Sequence, residues 1–191
     1  TDGDVSIVGN VTTSGAFSID AGGNDVSISG TITGGTATDT LSIVDGTGNG
    51  TITIGGAISN VRSVALTGDT AVKLGGDITT TNGANNDVTI TGPAILTANV
   101  DIDVTANGTD TDEGDITFTS TINDTDGSSP FSLTLDSDGG AIDVQGIIGG
   151  TNKVGAISIN NTGGDGSVTL AGIGNASGNS NAGAAGNEGL V

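Results

Sequence analysis

The sequence predicts an all-β protein folded as a parallel (right-handed) β-helix, or β-solenoid, of about eight coils. Three observations favour this fold. A nine-residue pattern recurs eight times. Val, Ile and Leu recur at every second residue in short runs, as they do in half-buried strands. No segment of eleven or more residues has helical periodicity. The alternative is an antiparallel β-sandwich, which does not require one template eight times.

We call the nine-residue pattern the window. The eight windows are residues 3–11, 24–32, 50–58, 70–78, 92–100, 114–122, 140–148 and 166–174. Positions three and five of each window carry Val, Ile, Leu, Ala or Phe, and the first seven windows end in Val or Ile. Because odd positions of a strand point to the same side, these residues predict one inward face.

Small residues define the other window positions. Position one is Gly in six of the eight windows, which predicts a corner with positive φ. Position seven is always Gly, Ala or Ser. We interpret position seven as an interior bend, where a large inward side chain would collide with the opposite wall of the coil.

Successive windows lie 20–26 residues apart, and a second short apolar alternation follows each of the first seven, as in Phe17/Ile19 and Leu41/Ile43. A unit of this size with two or three strands fits one solenoid coil, so each window should stack on the same window of its neighbours. Length variation falls in polar stretches such as 34–39 and 107–110, which we predict to be loops. The solenoid should span residues 1–174, with a tail, linker or cap rich in Gly, Ala, Asn and Ser at 175–191.

Composition excludes several classes of function. The chain has 22 Asp and Glu against 3 Lys and Arg, a formal net charge of −19, and no His or Cys. Such a charge cannot neutralise phosphates, so nucleic acid is not an expected partner. Zinc sites and nucleophilic catalysis that depends on His lack their side chains. No apolar run approaches the length of a transmembrane segment.

The densest group of carboxylates suggests a calcium site. Asp110, Asp112, Glu113 and Asp115 precede the sixth window. Oxygen ligands near a glycine suit Ca²⁺, although the spacing matches neither an EF-hand loop nor tandem calcium-binding nonapeptides. The alternative interpretation is a solvated acidic loop, so calcium is the only cofactor that the sequence suggests.

Catalysis is not expected. Glycoside hydrolysis needs two carboxylates at a set separation together with sugar-binding groups, and the chain has no Trp or Tyr. Asp101 and Asp103 form an outward pair, but their stacked neighbours are expected to be Thr89 and Thr91, which are not acids. A polysaccharide-active enzyme therefore remains the weakest functional alternative.

Windows such as Gly-Asp-Val-Ser-Ile-Val-Gly-Asn-Val at 3–11 and Gly-Thr-Ile-Thr-Ile-Gly-Gly-Ala-Ile at 50–58 resemble the repeats of large bacterial haemagglutinin-like adhesins. Filamentous haemagglutinins and autotransporter passengers have similar repeats. The resemblance covers residues 1 to about 174 and implies a secreted or surface-displayed β-helical shaft.

We therefore expect a non-catalytic segment or subunit of an extracellular fibre or adhesin shaft. Its coils should stack head to tail on copies of the chain, or on adjoining repeats of a longer chain, because uncapped strand edges template pairing. The alternative is a module at the cell surface that binds surface glycans through its loops.

Overall fold

The structure, a computed structural model, describes residues 3–81, 85–104, 114–125, 128–137, 139–161 and 166–174. These residues form an all-β parallel β-solenoid, which confirms the predicted fold class. Twenty strands wind around one apolar core, and every strand pair is parallel. Each turn contributes one strand to each of three faces, as expected for short aliphatic runs separated by polar corners.

The first face contains β1 (Val5–Ile7), β4 (Val26–Ile28), β7 (Thr51–Ile54), β10 (Ala71–Leu74), β13 (Ala94–Leu96) and β16 (Ile122–Asp124). The second face contains β2 (Val11–Thr13), β5 (Ile32–Gly34), β8 (Ile58–Val61), β11 (Ile78–Thr80), β14 (Val100–Asp103), β17 (Leu133–Asp136) and β19 (Ile157–Asn160). The third face contains β3 (Ala16–Asp20), β6 (Thr40–Val44), β9 (Ser63–Thr67), β12 (Val88–Thr91), β15 (Ile116–Phe118) and β20 (Val168–Ile173).

The strand β18 (Ile142–Ile148) joins the third face to the first, and β20 follows it along both faces, with Val168 paired to Ile142 and Ile173 paired to Ile148. In β18, Ile142 pairs with Ile116 on the third face, and Ile148 pairs with Ile122 on the first. The first and third faces are therefore one continuous sheet of 13 strands, while the second face is a separate sheet of seven.

The core consists of aliphatic stacks that run along the rod. Inward residues of the middle turns, such as Ile28, Ile54 and Leu66, are at most 2% exposed. Phe118 is the largest fully buried side chain, and it lies in register with Ile90 and Val144. Burial of such side chains contributes about 1.5–3 kcal/mol each, so these stacks are the main source of stability.

The predicted stacking of windows is correct within the first five windows and within the last three, and it is wrong only between the fifth and the sixth. Ile116, Ile142 and Val168 are successive partners in windows six to eight. Val5, Val26, Ile52, Val72 and Ala94 are successive partners on the first face. The sixth window instead pairs through Ile116 with Val88, on the third face. Each window corresponds to a strand, a corner and a second strand. This unit occurs at more than one of the three corners of a solenoid turn.

The predicted coil count is also too high. The chain makes about six turns, from β1 to the first half of β18, with β19 and β20 adding a last layer. The fifth and sixth windows lie in the same turn, because residues 92–100 include β13 and residues 114–122 include β15. Counting windows therefore overestimates the number of turns.

The small residue at position seven has a different cause from the one predicted. A Cβ on Gly76 would lie 2.6 Å from the backbone nitrogen of Ala57, and a Cβ on Gly56 would lie 2.8 Å from the carbonyl carbon of Gly30. The obstacle is the same corner of the preceding turn, not the opposite wall of the coil. These corners approach one another so closely along the rod that a side chain does not fit between them.

The prediction of positive φ at position one is wrong for most windows. Among the described residues, Gly92 is the one window-first glycine with a positive φ, of 97°. At Gly50 a Cβ would lie 2.6 Å from the carbonyl oxygen of Asn24, one turn below. Close approach between turns, rather than backbone conformation, requires glycine there.

One loop reaches beyond the adjacent turn. Residues 35–39 connect β5 to β6, in the second turn. Thr81, which follows β11 in the fourth turn, donates a hydrogen bond of 2.7 Å from Oγ1 to the carbonyl oxygen of Ala37. The loop thus passes over the short corner at Arg62 in the third turn.

Candidate functional site: polar corners and open edges

The structure describes one of the four predicted calcium ligands. Asp110, Asp112 and Glu113 lie outside the described residues, and Asp115 is exposed. One carboxylate oxygen of Asp115 accepts the N–H of Ala141 at 2.7 Å. No group of three or more His, Cys, Asp or Glu within the described ranges is placed to hold a metal ion. The calcium site stays a prediction.

Asp115 belongs to a series of side chains that we call the corner ladder. Each member is an Asp or Asn directly before a strand, and its side-chain Oδ1 accepts a backbone N–H at 2.7–3.2 Å. The members are Asp4, Asn10, Asp25, Asp77, Asp87, Asn99 and Asp115. Each such bond satisfies an N–H where the backbone ladder of the sheet stops.

The corner ladder has one direction. The N–H of Asp25 in the second turn donates to Asp4 in the first, and the N–H of Thr51 in the third turn donates to Asp25. Asp39, which also precedes a strand, is not a member of the corner ladder, because its Oδ1 accepts the N–H of Gly15 in the preceding turn. In all seven bonds of the corner ladder the acceptor lies in one turn and the donor in the next turn toward the C-terminus. The two ends of the rod are therefore chemically different.

Pro93 shows what happens where the corner ladder has no acceptor. Ala71 occupies the equivalent of Asp4 in the fourth turn, since Val72 pairs with Ala94. The residue stacked on Ala71 is Pro93, whose carbonyl accepts the N–H of Val72 at 2.8 Å. Proline has no N–H, so a side chain without an acceptor faces a residue without a donor.

The second face carries a group of four carboxylates: Asp77, Asp101, Asp103 and Asp136. The expectation that Asp101 and Asp103 stack on Thr89 and Thr91 is wrong, because β12 lies on the third face. Asp103 pairs with Asp136 in the next turn, and Asp101 pairs with Thr134.

One member of this group, Asp101, has a raised pKa. Burial raises the pKa of Asp101, and the carboxylates of Asp77, Asp103 and Asp136 raise it further. Asp136 accepts a hydrogen bond of 2.9 Å from Nδ2 of Asn160. The negative charge of Asp101 therefore has a cost in free energy at this position.

Asp39, 1% exposed, organises the corner at residues 35–39. Its carboxylate accepts the backbone N–H of Gly15 and of Gly35, both at 2.9 Å. Hydroxyl groups of Thr13 and Thr36 also donate to it. The hydrogen bond from the Thr36 side chain is the largest cause that lowers the pKa of Asp39 to about 2, and the other donors act in the same direction against burial.

Asp45, at the other end of β6, is 0% exposed and has fewer partners. Its Oδ2 accepts the N–H of Asp69 at 2.8 Å, but its Oδ1 is buried with no hydrogen-bond partner. Burial is the main cause that raises the pKa of Asp45, and the carboxylates of Asp69 and Asp25 also raise it. Sequence reasoning identified neither Asp39 nor Asp45.

The two ends of the rod expose apolar surface. In the first turn Val5, Ile7, Val11, Phe17 and Ile19 are only partly buried, although their stacked neighbours are in the core. At the other end Ile159, Leu170 and Ile173 are partly buried, and Val168 is 46% exposed. Among the described residues, each end is thus an open cross-section of the aliphatic stacks.

A cleft of about 580 Å³ lies beside the C-terminal edge. Its polar lining comes from Thr134, Asp136, Ser158, Asn160 and Asn161, and Ile159 and Val168 complete the lining. Hydroxyl, carboxylate and amide groups of this kind can bind polar ligands, but the cleft has no aromatic side chain among its lining residues.

In the described part of the chain there is no helix that combines the length and the apolar character of a membrane span. No protein-family model matches the chain, and neither a curated protein nor a solved structure matches it.

Proposed function

We propose that the chain is a non-catalytic structural segment of an extracellular β-solenoid fibre or adhesin shaft. Its ends stack on further solenoid turns, which belong to copies of the chain or to adjoining repeats. The observation that carries the proposal is the pair of open edges, where the aliphatic stacks of the core reach both ends of the rod. Stacking would bury these residues and pair the strand edges.

The strand at the N-terminal edge offers a specific test. The N–H of Val5 and the carbonyl of Ile7 already bond to the second turn. The N–H of Ser6 therefore points to the open side of β1. Ser6→Pro removes that N–H without touching the core, because proline is tolerated in edge strands whose N–H faces solvent.

We expect the wild-type chain to form longer particles as its concentration rises, and more readily in added salt, which screens the net charge of −19. Sedimentation velocity and electron microscopy measure this growth. Ser6→Pro should stop it at the N-terminal edge, whereas the matched variant Ser6→Ala should assemble like wild type. A monomer at every concentration and salt level would contradict stacking.

The cleft beside the C-terminal edge favours carbohydrate binding as a second candidate function. Its hydroxyl, carboxylate and amide groups match the hydrogen-bonding groups of sugars. A glycan array with wild type and Asn160→Ala tests this candidate. Binding that the substitution removes would favour a surface-binding module, and an array without signal would leave the shaft as the function.

A further inference from the structure

The two edges of the rod differ in hydrogen-bonding chemistry, and this difference identifies what fits the N-terminal edge. The inference rests on the proposed stacking function. At that edge the relevant donors are the backbone N–H groups of Asp4 and Asn10. In the second turn their equivalents are the N–H groups of Asp25 and Thr31, which donate to the side chains of Asp4 and Asn10.

The donors of the first turn point away from the rod. The carbonyl of Asp25 accepts the N–H of Val5, and the N–H of Asp25 donates to Asp4. Both backbone groups of Asp25 are thus directed toward the first turn. By the same geometry, the N–H groups of Asp4 and Asn10 face the open side, where the described residues provide no strand.

A second copy of the chain would place its C-terminal layer against these donors. The stack that starts at Val5 ends at Ile173, and the stack that starts at Val11 ends at Ile159. The residues before these two ends are Gly172 and Ser158. Glycine has no side-chain acceptor, and the serine hydroxyl is shorter than the Asp and Asn side chains of the corner ladder.

We propose that the N-terminal edge binds a partner β-solenoid turn that carries Asp or Asn directly before its first-face and second-face strands. Such a turn would extend the corner ladder across the junction and meet the N–H groups of Asp4 and Asn10. The C-terminal layer of a second copy lacks these side chains, so it is the poorer partner.

The test supplies the missing acceptors to a second copy. Gly172→Asn and Ser158→Asn place amide oxygens at the two positions, and Asn10 and Asn99 show that an amide oxygen serves as well as a carboxylate. A Cβ on Gly172 would meet only Ile147 Cγ1, at 4.0 Å, so the site has room for a side chain. Ser42→Asn and Thr53→Asn, on outward positions of inner turns, are the matched controls.

We expect the double variant Gly172→Asn/Ser158→Asn to self-associate about tenfold more tightly than wild type, the effect of two added hydrogen bonds. The control variants should match wild type. Sedimentation equilibrium at fixed pH and salt measures the association constants, and far-UV circular dichroism confirms that each variant is folded.

A second pair of variants shows whether the tighter self-association depends on the backbone N–H of Asp4. In the double variant, Asp4→Pro removes the N–H, as Pro93 does at the equivalent position of the fifth turn. Asp4→Ala removes only the side chain. Asp4→Pro should reverse the part of the gain that comes from Gly172→Asn, and Asp4→Ala should retain it.

The outcomes separate the two proposals. Equal association of wild type and double variant would overturn the inference and leave end-to-end stacking intact. A gain that survives Asp4→Pro undiminished would also overturn it. Absence of association in every variant would overturn stacking itself, and the inference with it.

Discussion

Asp39 and Asp45 lie at opposite ends of the same strand, β6, and are equally buried, yet their environments have opposite effects on charge. Asp39 receives hydrogen bonds from two turns of the solenoid and has a pKa of about 2. Asp45 has one hydrogen bond and a raised pKa. Burial alone therefore does not determine whether a carboxylate stabilises this fold.

The difference arises from the corners that the two residues occupy. The loop at 35–39 folds its own N–H and hydroxyl groups around Asp39. Asp45 is stacked between Ala21 and Gly68, which contribute no polar side chain, and its charged neighbours Asp25 and Asp69 are also acids. Asp39 therefore stabilises its corner of the fold, whereas the charge of Asp45 destabilises its own.

The largest expected effect comes from Asp39→Ala. The substitution removes the acceptor of the N–H of Gly15 and of the buried Thr13 hydroxyl, and it leaves the N–H of Gly35 with the carbonyl of Thr13 alone. We therefore expect the melting temperature to fall by roughly 5 °C or more. Thermal unfolding followed by circular dichroism measures it. The control is Asp20→Ala, which removes an exposed acceptor of the N–H of Gly22. It should shift the melting temperature much less. Equal shifts in melting temperature for Asp39→Ala and Asp20→Ala would show that Asp39 does not stabilise the fold more than an exposed carboxylate.

Asp45→Asn should act in the opposite direction at pH 7. The amide keeps an acceptor for the N–H of Asp69, removes the buried charge and ends the repulsion from Asp25 and Asp69. We expect the melting temperature to rise by about 2 °C or more. Asp20→Asn, at an exposed position, should leave it unchanged, and a decrease in Asp45→Asn would contradict our assignment of Asp45 as unfavourable.

The pH dependence of the two sites should differ in sign. The folded-state pKa of Asp39 is below 3.8, so its contribution to stability is present above that pH and is lost as the pH falls toward 2. The folded-state pKa of Asp45 is above 3.8, so its contribution is present below that pH and is lost as the pH rises.

Melting temperatures of wild type, Asp39→Asn and Asp45→Asn between pH 2 and pH 7 test this prediction. The advantage of wild type over Asp39→Asn should grow from pH 2 to pH 5. Over the same range the melting temperature of Asp45→Asn should rise relative to that of wild type. Parallel curves for all three proteins would show that neither carboxylate titrates with a shifted pKa.

The smallest effect should come from the exposed corner ladder. Asp25→Ala removes the acceptor for the N–H of Thr51, at a cost of about 0.5 kcal/mol because the bond is exposed, or about 1–2 °C in melting temperature. Asp25→Asn keeps that acceptor and should cost less. Urea titration resolves the difference. If Asp25→Asn costs as much as Asp25→Ala, charge rather than the hydrogen bond is what matters at this position.

The sequence was sufficient to predict the inward aliphatic stacks, because strand alternation places Val5, Val26 and Ile52 on one side whatever the number of turns. It was not sufficient to predict that the sixth window stacks on Val88 and Ile90, on the third face, and not on the fifth window. Strand–corner–strand units look alike at every corner of a triangular coil, so the spacing of 22 residues between Leu96 and Phe118 gave no sign of a change of face.

The polar corners were harder to predict. A signal for the corner ladder is present in the sequence, since Asp or Asn precedes an aliphatic strand start in Asp4-Val5, Asp25-Val26 and Asp87-Val88. Asp39 and Asp45 have no such signal. Their burial depends on how a loop folds over the next turn, which involves residues such as Gly15 that are distant in sequence.

The hydrogen bond from Thr81 to Ala37 has a consequence for how the rod opens. Solenoid turns ordinarily interact only with their immediate neighbours, so an end can fray one turn at a time. This bond connects the second turn to the fourth and spans the third. Amide hydrogen exchange should therefore show an independently opening first turn, followed by turns two to four exchanging as one cooperative unit.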